Sequence, residues 1–583
     1  MQPIPRQTLL RIIFAAAVSL GLSAALLWPV PVRMNELLVG HPGNDTWNHV
    51  WGYWWVGEAL KAGEWPVRAD LLAWPGGGTL YFIDTMQAVL SWPVQLLFGP
   101  AVAYNLVIFL QLAFCGFAAW ILTWRLTGDW IAAFAALFLF EMSPHLLGQA
   151  YNGISETVCA GWFPLTLWAL LRMMNVPDIR NSAILGLVGG ICILTSWYYG
   201  LFAAIGSIVL LIWSALRQAW LYDWKRIGKG LAIAASTAGA IAAGPFLSFR
   251  SSLSAADALV TRDPEFVERS LLNHNITDVA AFFHFTKTPS PDLFRLYGEE
   301  LIIVIYLGWI GIALSVYALL SFRKSRDLSP WIWLGAIFFV FSLGPYLNFG
   351  GEYVMSGSKR IPLPFLPLYK AFPVFDRISH PFRFVVGVNL ALAILGAHGF
   401  RRLLKGRSDR ARTAAVFALC LAMWAEYSLG SPARLPVAAC DARIPAAYAD
   451  IRSDPSSGAV LDLPMTLPNL ERAVYVWNQS VHGRPVPWGL NDPMPAKLLE
   501  NRLTATLIQI EATRARTMPA FLPELDLVVA ARTLARQGYS HVVLHERLFP
   551  GFKRDQAVNL LNALFGEPAA YEEEGILVYR LEL

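Results

Sequence analysis

Long hydrophobic runs recur over most of the chain and stop near residue 430. The runs, about eleven in all, are near the length needed to cross about 30 Å of hydrocarbon, so they predict about eleven transmembrane helices. The first, residues 12–32, is longer than the hydrophobic part of a cleaved signal peptide, and we expect it to be retained. The others lie at residues 101–124, 130–147, 158–174, 182–199, 201–216, 230–249, 300–320, 331–349, 382–400 and 413–430.

After residue 430 the pattern changes to short apolar strands and amphipathic helices. We predict buried strands at Ala459–Leu463 and His541–Leu544. Helices are predicted at Leu525–Gln537 and Gln556–Phe565, and a closing strand at Ile576–Leu581. The chain is therefore expected to be a polytopic α-helical membrane protein with a C-terminal soluble α/β domain.

The composition agrees with a membrane protein and assigns sides to its loops. Of the 583 residues, 56% are hydrophobic and 15% are charged, whereas about 25% of an average soluble domain is charged. The basic loop residues fall on one side of the predicted topology, which makes that side the cytoplasm and indicates no nucleic-acid partner. They are Arg125; Arg172 and Arg180; Arg217, Lys225, Arg226 and Lys229; Arg323, Lys324 and Arg326; and those from Arg401 to Arg412.

This topology divides the chain into two predicted domains. Residues 1–430 form a transmembrane core with a cytoplasmic N-terminus and with longer outer loops at 33–100, 250–299 and 350–381. Residues 431–583 form an extracytoplasmic domain. The candidates for chemistry lie on the outer side.

The first outer loop contains an unusual segment, HPGNDTWNHVWGYWW, at residues 41–55. Asp45 suits a helix N-cap, and Trp51 and Trp54 follow at helical spacing, so we predict a short helix beginning at Asp45. Tryptophan suits the headgroup layer, and the helix is expected to lie flat on the membrane with Trp51 and Trp54 contacting a lipid-borne substrate. Asp45 is then either a reactive carboxylate or a helix cap alone.

Two further outer acids are candidates. Asp84 precedes a short apolar stretch, Val89–Phe98, that is too short to span and is either re-entrant or interfacial. Asp84 is either a functional residue or a capping residue. Glu156 lies in a turn without Lys or Arg and is either a ligand for the acceptor or a metal, or a surface residue.

A basic segment precedes the span 382–400 on the outer side. Arg377, His380 and Arg383 lie there, where cations are less common. A bidentate arginine suits phosphate oxygens, so we expect these three to bind the phosphate of a substrate. The alternative is snorkelling of the side chains to lipid headgroups.

The histidines of the outer side suggest a metal site as a further hypothesis. His41, Asp45 and His49 carry nitrogen and oxygen donors for a divalent metal ion, and the alternative is that they are surface residues. Glu141 and His145, spaced i, i+4 near the outer end of a span, are either functional or hydrogen-bonded to each other.

Five blocks of the first 430 residues resemble bacterial multi-pass GT-C-type glycosyltransferases. The segment AVLDLPMTLPNLERAVYVWNQSVHGRPV is similar to the soluble tail that follows such cores. The five blocks are NDTWNHVWGYWW, GPAVAYNLVIFLQLAFCGFAAWILTWRLTG, ISETVCAGWFPL, SWYYGLF and ISHPFRFVV.

The resemblance implies a GT-C-like membrane enzyme of the bacterial cytoplasmic membrane. Such enzymes transfer a sugar from a polyprenyl-phosphate carrier, on the outer face, to a lipid, glycan or protein acceptor. Their first outer loop carries an essential Asp, which Asp45 matches; many members have two adjacent acids there, where this chain has Asn44 and Asp45. The transfer needs a carboxylate base and positive charge on the leaving phosphate, so Asp45, Asp84 and Glu156 are the catalytic candidates.

Two other classes of function remain open from the sequence. One is a transporter or lipid-handling protein, and the other is a non-catalytic membrane scaffold whose outer domain binds a partner. A secondary transporter usually holds its ionisable residues near the bilayer midplane. The candidates here lie at the outer ends of spans or beyond, which favours an interfacial enzyme.

Overall fold

The computed structural model describes residues 5–260, 264–285, 303–321, 328–431, 435–490, 494–513, 525–549 and 551–581. Arg323, Lys324, Arg326 and the end of the predicted loop 250–299 lie outside these residues. The chain forms two compact units. The first comprises Met1–His41, Val102–Leu247 and Arg262–Cys440, and the second comprises Pro42–Ala101, Ser248–Thr261 and Asp441–Leu583.

Helices dominate the chain, and short strands are concentrated toward its end. The strands are β1 (Leu37–Val39), β2 (Asn348–Phe349), β3 (Glu352–Tyr353), β4 (Met355–Ser356), β5 (Lys359–Arg360), β6 (Ala439–Asp441), β7 (Ala459–Leu463), β8 (Tyr539–His545), β9 (Ala569–Tyr571) and β10 (Ile576–Arg580). The α-helices are α1 (Arg6–Leu26), α2 (Thr46–Lys61), α3 (Thr85–Leu90), α4 (Trp92–Phe98), α5 (Pro100–Thr127), α6 (Ala133–Glu141), α7 (Pro144–Tyr151), α8 (Ser155–Val158), α9 (Trp162–Asn175), α10 (Ile179–Thr195), α11 (Trp197–Arg217), α12 (Trp224–Leu253), α13 (Pro264–Arg269), α14 (Trp309–Ser321), α15 (Ser329–Ser342), α16 (Phe365–Ala371), α17 (Val385–Leu403), α18 (Asp409–Gly430), α19 (Ala447–Ser453), α20 (Asn469–Arg472), α21 (Val474–His482), α22 (Ala496–Glu500), α23 (Arg502–Ala512), α24 (Leu525–Arg536) and α25 (Gly551–Phe565).

The apolar helices correspond to most of the predicted spans. Among the described residues, seven helices are long and apolar enough to cross a membrane: α1, α5, α11, α12, α18, α8 joined to α9, and α17 extended back to Pro381. Three shorter apolar helices, α10, α14 and α15, coincide with further predicted spans. The chain is an integral membrane protein with the predicted fold class.

The predicted span at residues 130–147 is two helices instead of one. Helix α6 ends at Glu141 and α7 begins at Pro144. Proline has no backbone N–H and disfavours helical backbone in the residue before it, and Ser143 is accordingly extended, with φ −55° and ψ 133°. Hydropathy does not register this break because both helices are apolar.

The first unit is built around α17. Of the most apolar 18-residue window in Pro381–Leu403, 94% is buried, and α17 packs against α6, α14 and α15. Gly399 permits one of these close approaches, because a Cβ there would lie 2.1 Å from the carbonyl oxygen of Leu314. Helix α17 therefore holds the residues at its N-terminal end, including Arg383, in a fixed and buried position.

The second unit contains a four-stranded sheet in the order β7-β8-β10-β9. Strands β7 and β8 are parallel, with Leu461 opposite Val542, and the remaining pairs are antiparallel. Val460, Val543 and Ile576 belong to its core. The predicted strands and helices of the α/β region are confirmed, and β9 was not predicted.

Helix α2 also belongs to this second unit. It packs against α3 and against α21, and the indole N–H of Trp51 donates to Gln479 Oε1 at 2.8 Å. Residues 42–101 are thus grouped with residues 441–583, whereas the sequence prediction placed them with the transmembrane core. The packing of α2 against α3 and α21 accounts for this grouping.

Candidate functional site

Asp45 lies where α2 begins, as predicted. It occupies the N-cap position, but its side chain makes no capping hydrogen bond. The carboxylate instead accepts a hydrogen bond from Asn48 Nδ2, with Asn48 Nδ2 to Asp45 Oδ1 at 3.2 Å. Only 8% of Asp45 is exposed. Capping therefore does not explain this carboxylate, which is held one turn from His49.

A buried His–Asp pair lies next along the same helix. His49 Nδ1 forms a short contact with Asp84 Oδ2. Asp84 is fully buried and His49 is 7% exposed. A carboxylate hydrogen-bonded to one ring nitrogen fixes the orientation of the imidazole and sets which nitrogen carries the proton. The second unit therefore carries Asp45 and an oriented histidine on one helix.

Gly52 permits the approach that forms this pair. A Cβ at Gly52 would lie 2.0 Å from the ring of Phe82, so only glycine leaves room for that ring against α2. Phe82 is two residues before Asp84 and is itself buried. The close packing of the ring on the helix brings Asp84 onto His49.

The tryptophans of α2 differ from the expected interfacial belt. Trp51 is fully buried and stacks on Trp55, with ring centroids 5.7 Å apart. Eleven residues of α2 are buried, so the helix is enclosed on most sides and is not a helix with one apolar face lying flat on a membrane. Trp51 is consequently a packing residue, whereas Trp54 is partly exposed and retains an accessible face.

The first unit brings together two other candidates, Glu156 and Arg383. Arg383 Nη1 donates to Glu156 Oε1 at 3.1 Å, and Ser196 Oγ donates to Glu156 Oε2 at 3.1 Å. Glu156 is 1% exposed and Arg383 is 8% exposed, so the surface interpretation of Glu156 and the snorkelling interpretation of Arg383 are both wrong. The ion pair with Arg383 offsets the cost of burying this carboxylate so deeply.

The guanidinium of Arg383 has further donors beyond this ion pair. Its Cζ lies 4.6 Å from the centroid of the Tyr198 ring, a cation–π arrangement. Its Nε is buried and makes no hydrogen bond to any residue in the described part of the chain. An anion with several oxygens is the partner that such a donor set accommodates.

The other two basic candidates differ from Arg383. The side chain of Arg377 is 60% exposed and lies 3.9 Å from Asp376, which is a weak surface arrangement. His380 is buried, and its Nδ1 lies 2.8 Å from Ser379 Oγ. Both are in the first unit, and Arg383 is the one with the geometry of an anion-binding residue.

No metal-binding cluster is assembled from the side chains that the structure describes. Within these residues, no group of three or more His, Cys, Asp or Glu is placed to hold a metal ion. His49, one of the predicted ligands, contacts Asp84 instead. A divalent metal requirement remains a prediction.

Glu141 and His145 do not form the hydrogen bond to each other that was one of the two alternatives. Glu141 accepts a hydrogen bond from Ser23 Oγ at 2.9 Å, and His145 Nδ1 lies 3.1 Å from the carbonyl oxygen of Val304. The break at Pro144 separates the two residues onto α6 and α7, so the i, i+4 spacing of one continuous helix is lost.

No protein-family model matches the sequence, and no curated protein sequence matches it. Solved structures do match. The oligosaccharyltransferase of Archaeoglobus fulgidus in its apo form gives a TM-score of 0.54 at 13% identity, covering 95% of this chain and 71% of that chain. Arabinofuranosyltransferase AftD from mycobacteria gives 0.55 at 16% identity, covering all of this chain but only 42% of that chain.

A third structure is the Archaeoglobus fulgidus oligosaccharyltransferase in complex with an inhibitory peptide and a dolichol-phosphate, with a TM-score of 0.50 at 13% identity over 96% of this chain and 71% of that chain. These proteins are GT-C glycosyltransferases. The chain has the GT-C fold. At these identities the similarity shows the fold alone, and a shared fold does not define an activity.

Several residues around the candidate side chains were not predicted from the sequence. His49 was predicted only as a metal ligand or a surface residue, and neither Ser196 nor Tyr198 was predicted to contact the candidates. The i, i+4 spacing of Asp45 and His49 was the available signal for the first. Ser196 and Tyr198 lie in the SWYYGLF block, but nothing local indicates that they contact Glu156 and Arg383.

Proposed function

We propose that the chain is a glycosyltransferase that moves a sugar from a polyprenyl-phosphate carrier to a lipid, glycan or protein acceptor on the outer face of the bacterial cytoplasmic membrane. The GT-C fold, matched over 95% of the chain, is the observation that carries this proposal. A dolichol-phosphate is bound to one protein of the same fold. Dolichol is a polyprenol, which supports the same class of donor here.

Arg383 is proposed to bind the phosphate of the carrier. Its buried guanidinium keeps Nε available for an acceptor oxygen, and burial strengthens the attraction to a phosphate. Glu156 and Tyr198 hold the guanidinium in position. Glu156 is therefore a positioning residue for Arg383, which replaces its expected role as a ligand for acceptor or metal.

Asp45 is proposed as the base. The sugar–phosphate C–O bond breaks, the acceptor oxygen or nitrogen bonds to the same carbon, and its proton passes to the Asp45 carboxylate. The electron pair leaves with the carrier phosphate. Asp84 orients His49, and the partly exposed Trp54 is proposed to contact substrate.

The proposal is tested by transfer of label from a panel of radiolabelled polyprenyl-phosphate sugars into membrane extracts. The variant is Asp45→Asn at matched expression, and the control is Glu58→Gln, an exposed acid on the same helix whose carboxylate pairs with Lys61 at 2.7 Å. We expect Asp45→Asn to lose at least about a hundredfold in rate, as for removal of a general base, and Glu58→Gln to retain the parent rate.

Equal labelling by the parent and Asp45→Asn would contradict the assignment of the base. Absence of Asp45-dependent labelling from every donor, with intact biological output in the variant, would favour the scaffold. Labelling that depends on Asp45 for one donor identifies the donor class.

A further inference from the structure

A basic cavity lies in the first unit and does not include Arg383 or Glu156 in its lining. It has a volume of about 500 Å³ and is formed where α5 and α9 end and α10 begins. Its lining includes Arg125, Arg172 and Arg180. The sequence placed these arginines in two separate loops on the predicted cytoplasmic side, and the fold brings them to one cavity.

Hydrogen bonds hold the polar side chains of Arg172 and Asn181 that line this cavity. Arg172 Nε donates to Asn181 Oδ1 at 2.7 Å, and Asn181 Nδ2 donates to the carbonyl oxygen of Val176 at 2.9 Å. The guanidinium carbon of Arg172 lies 5.5 Å from the centroid of the Trp168 ring. Arg172 is therefore positioned by its hydrogen bond to Asn181 and by the ring of Trp168.

Positive charge exceeds negative charge in the lining of the cavity. Asp178 is the acid in the lining, and its carboxylate accepts the backbone N–H of Asn181 at 2.7 Å as the cap of α10. Among the described residues, none of the three arginines forms an ion pair with an acidic side chain. Three arginines and one aspartate leave the lining with a net positive charge, which favours an anion.

The rim of the cavity is apolar. Val176 lines it and is 54% exposed, and Ile179, between two lining residues, is 75% exposed. Cationic side chains beside exposed apolar ones, at the ends of membrane helices, match the depth at which a phospholipid headgroup meets its acyl chains. The cavity volume also suffices for a headgroup.

We propose that this cavity binds the phosphate group of an anionic phospholipid from the leaflet on the basic side of the chain. The predicted topology places it on the opposite side of the membrane from Arg383, so it is a separate site from the one proposed for the carrier. A free phosphate offers the same chemistry, and the test has to separate the two sources.

The test uses the full-length purified protein in detergent and native mass spectrometry with added phosphatidylglycerol, phosphatidylcholine or inorganic phosphate. The variant is Arg125→Gln/Arg180→Gln, which leaves the Arg172–Asn181 bond in place. The control is Arg401→Gln/Arg402→Gln, which removes two exposed arginines from the last turn of α17. Loss of two phosphate contacts is expected to weaken phosphatidylglycerol binding roughly tenfold to thirtyfold, and the control is expected to keep the parent affinity.

The lipid site is supported if the parent protein prefers phosphatidylglycerol to phosphatidylcholine and if only Arg125→Gln/Arg180→Gln loses this preference. The lipid site is overturned if both double variants lose phosphatidylglycerol affinity equally, or if the parent protein binds the two lipids equally. Competition by inorganic phosphate at or below the lipid concentration also overturns the lipid source and assigns a soluble phosphate. Arg180→Glu, at an exposed position, replaces the double variant if the latter does not fold.

Discussion

Arg383 and Glu156 form an ion pair that must be tested without leaving a buried charge alone. Removing one partner of a buried pair costs about 3–5 kcal/mol, because the remaining charge is uncompensated. Truncation of Arg383 would therefore mix a folding defect with a binding defect. Lysine keeps the charge while losing the planar fork and the Nε donor.

Arg383→Lys is expected to weaken binding of polyprenyl phosphate about tenfold or more while lowering the rate of the bound complex less. The reason is that the proposed contact to phosphate is made in the ground state as well as in the transition state. Equilibrium binding and single-turnover transfer separate the two effects. Arg269→Lys, at an exposed position of the first unit, is the control; parental affinity in Arg383→Lys would remove the assignment.

Two buried histidines give the second unit a predicted pH dependence. Burial, together with the charge of Arg484, lowers the pKa of His482 to about 3 and the pKa of His541 to about 4. The unfolded chain has the ordinary histidine pKa near 6.5, so it binds protons in an interval where the folded chain does not. Stability therefore falls as the pH drops from about 6.5 toward 4.

Between pH 7 and pH 5 we expect a loss of about 2 kcal/mol for each of these histidines. Hydrogen exchange of β7 and β8 in the full-length protein, corrected for the intrinsic effect of pH on exchange, measures the loss. His541→Gln should remove that residue's share. If the hydrogen-exchange protection of β7 and β8 stays constant between pH 7 and pH 5, the two histidines are not held in their neutral form.

At the scale of elements, the contact between α2 and the segment before α3 depends on one glycine. Replacing a helical glycine with alanine ordinarily stabilises a helix by roughly 0.5–1 kcal/mol. At Gly52 the added methyl group would meet the Phe82 ring at 2.0 Å. The segment has to move, and Asp84 moves with it.

Gly52→Ala is expected to lower transfer activity by about tenfold to a hundredfold, because a shift of Asp84 by about 1 Å would no longer orient His49, one turn from the proposed base Asp45, and misplacement of that size has such an effect. The control is Gly239→Ala, in the interior of α12, where nothing lies within 4 Å of the added atom. Activity is compared at equal amounts of folded protein. Equal activity in the two variants would mean that the Phe82 contact does not position Asp84.

At the scale of the whole molecule, the predicted orientation can be tested by labelling. The described native cysteines Cys115, Cys159, Cys192 and Cys440 are buried, and Cys420 is partly exposed. We expect Ser457→Cys, in the C-terminal domain that is predicted to be extracytoplasmic, to react with a membrane-impermeant maleimide in intact spheroplasts. Ser408→Cys, between α17 and α18, is expected to react only after permeabilisation, and both variants are compared with the unsubstituted chain.

The reverse labelling pattern would place the C-terminal domain in the cytoplasm and contradict the outer-face proposal. Reaction of both sites in intact spheroplasts would show leakage, which a cytoplasmic marker enzyme reports independently. The orientation rests on the distribution of basic residues, so this experiment tests that argument directly.

Much of the architecture follows from local sequence patterns. Apolar runs of sufficient length predicted the membrane helices, and the strands β7 and β8 were predicted from continuous apolar residues. The helix beginning at Asp45 was predicted from its cap residues and tryptophan spacing. Each of these patterns reports which side chains of a segment are buried, and the spacing of those side chains differs between helices and strands, so a local pattern is sufficient to identify the element.

The pairing of candidate residues within each unit was decided by tertiary structure. Glu156 and Arg383 are 227 residues apart, and His49 and Asp84 are 35 apart. The sequence marked Glu156 as a residue of a loop turn, and only packing around α17 buries it with its partner. Periodicity defines which face of an element is apolar but not which distant face it meets. That choice depends on shape and close approach, as at Gly52, and these are properties of the folded chain.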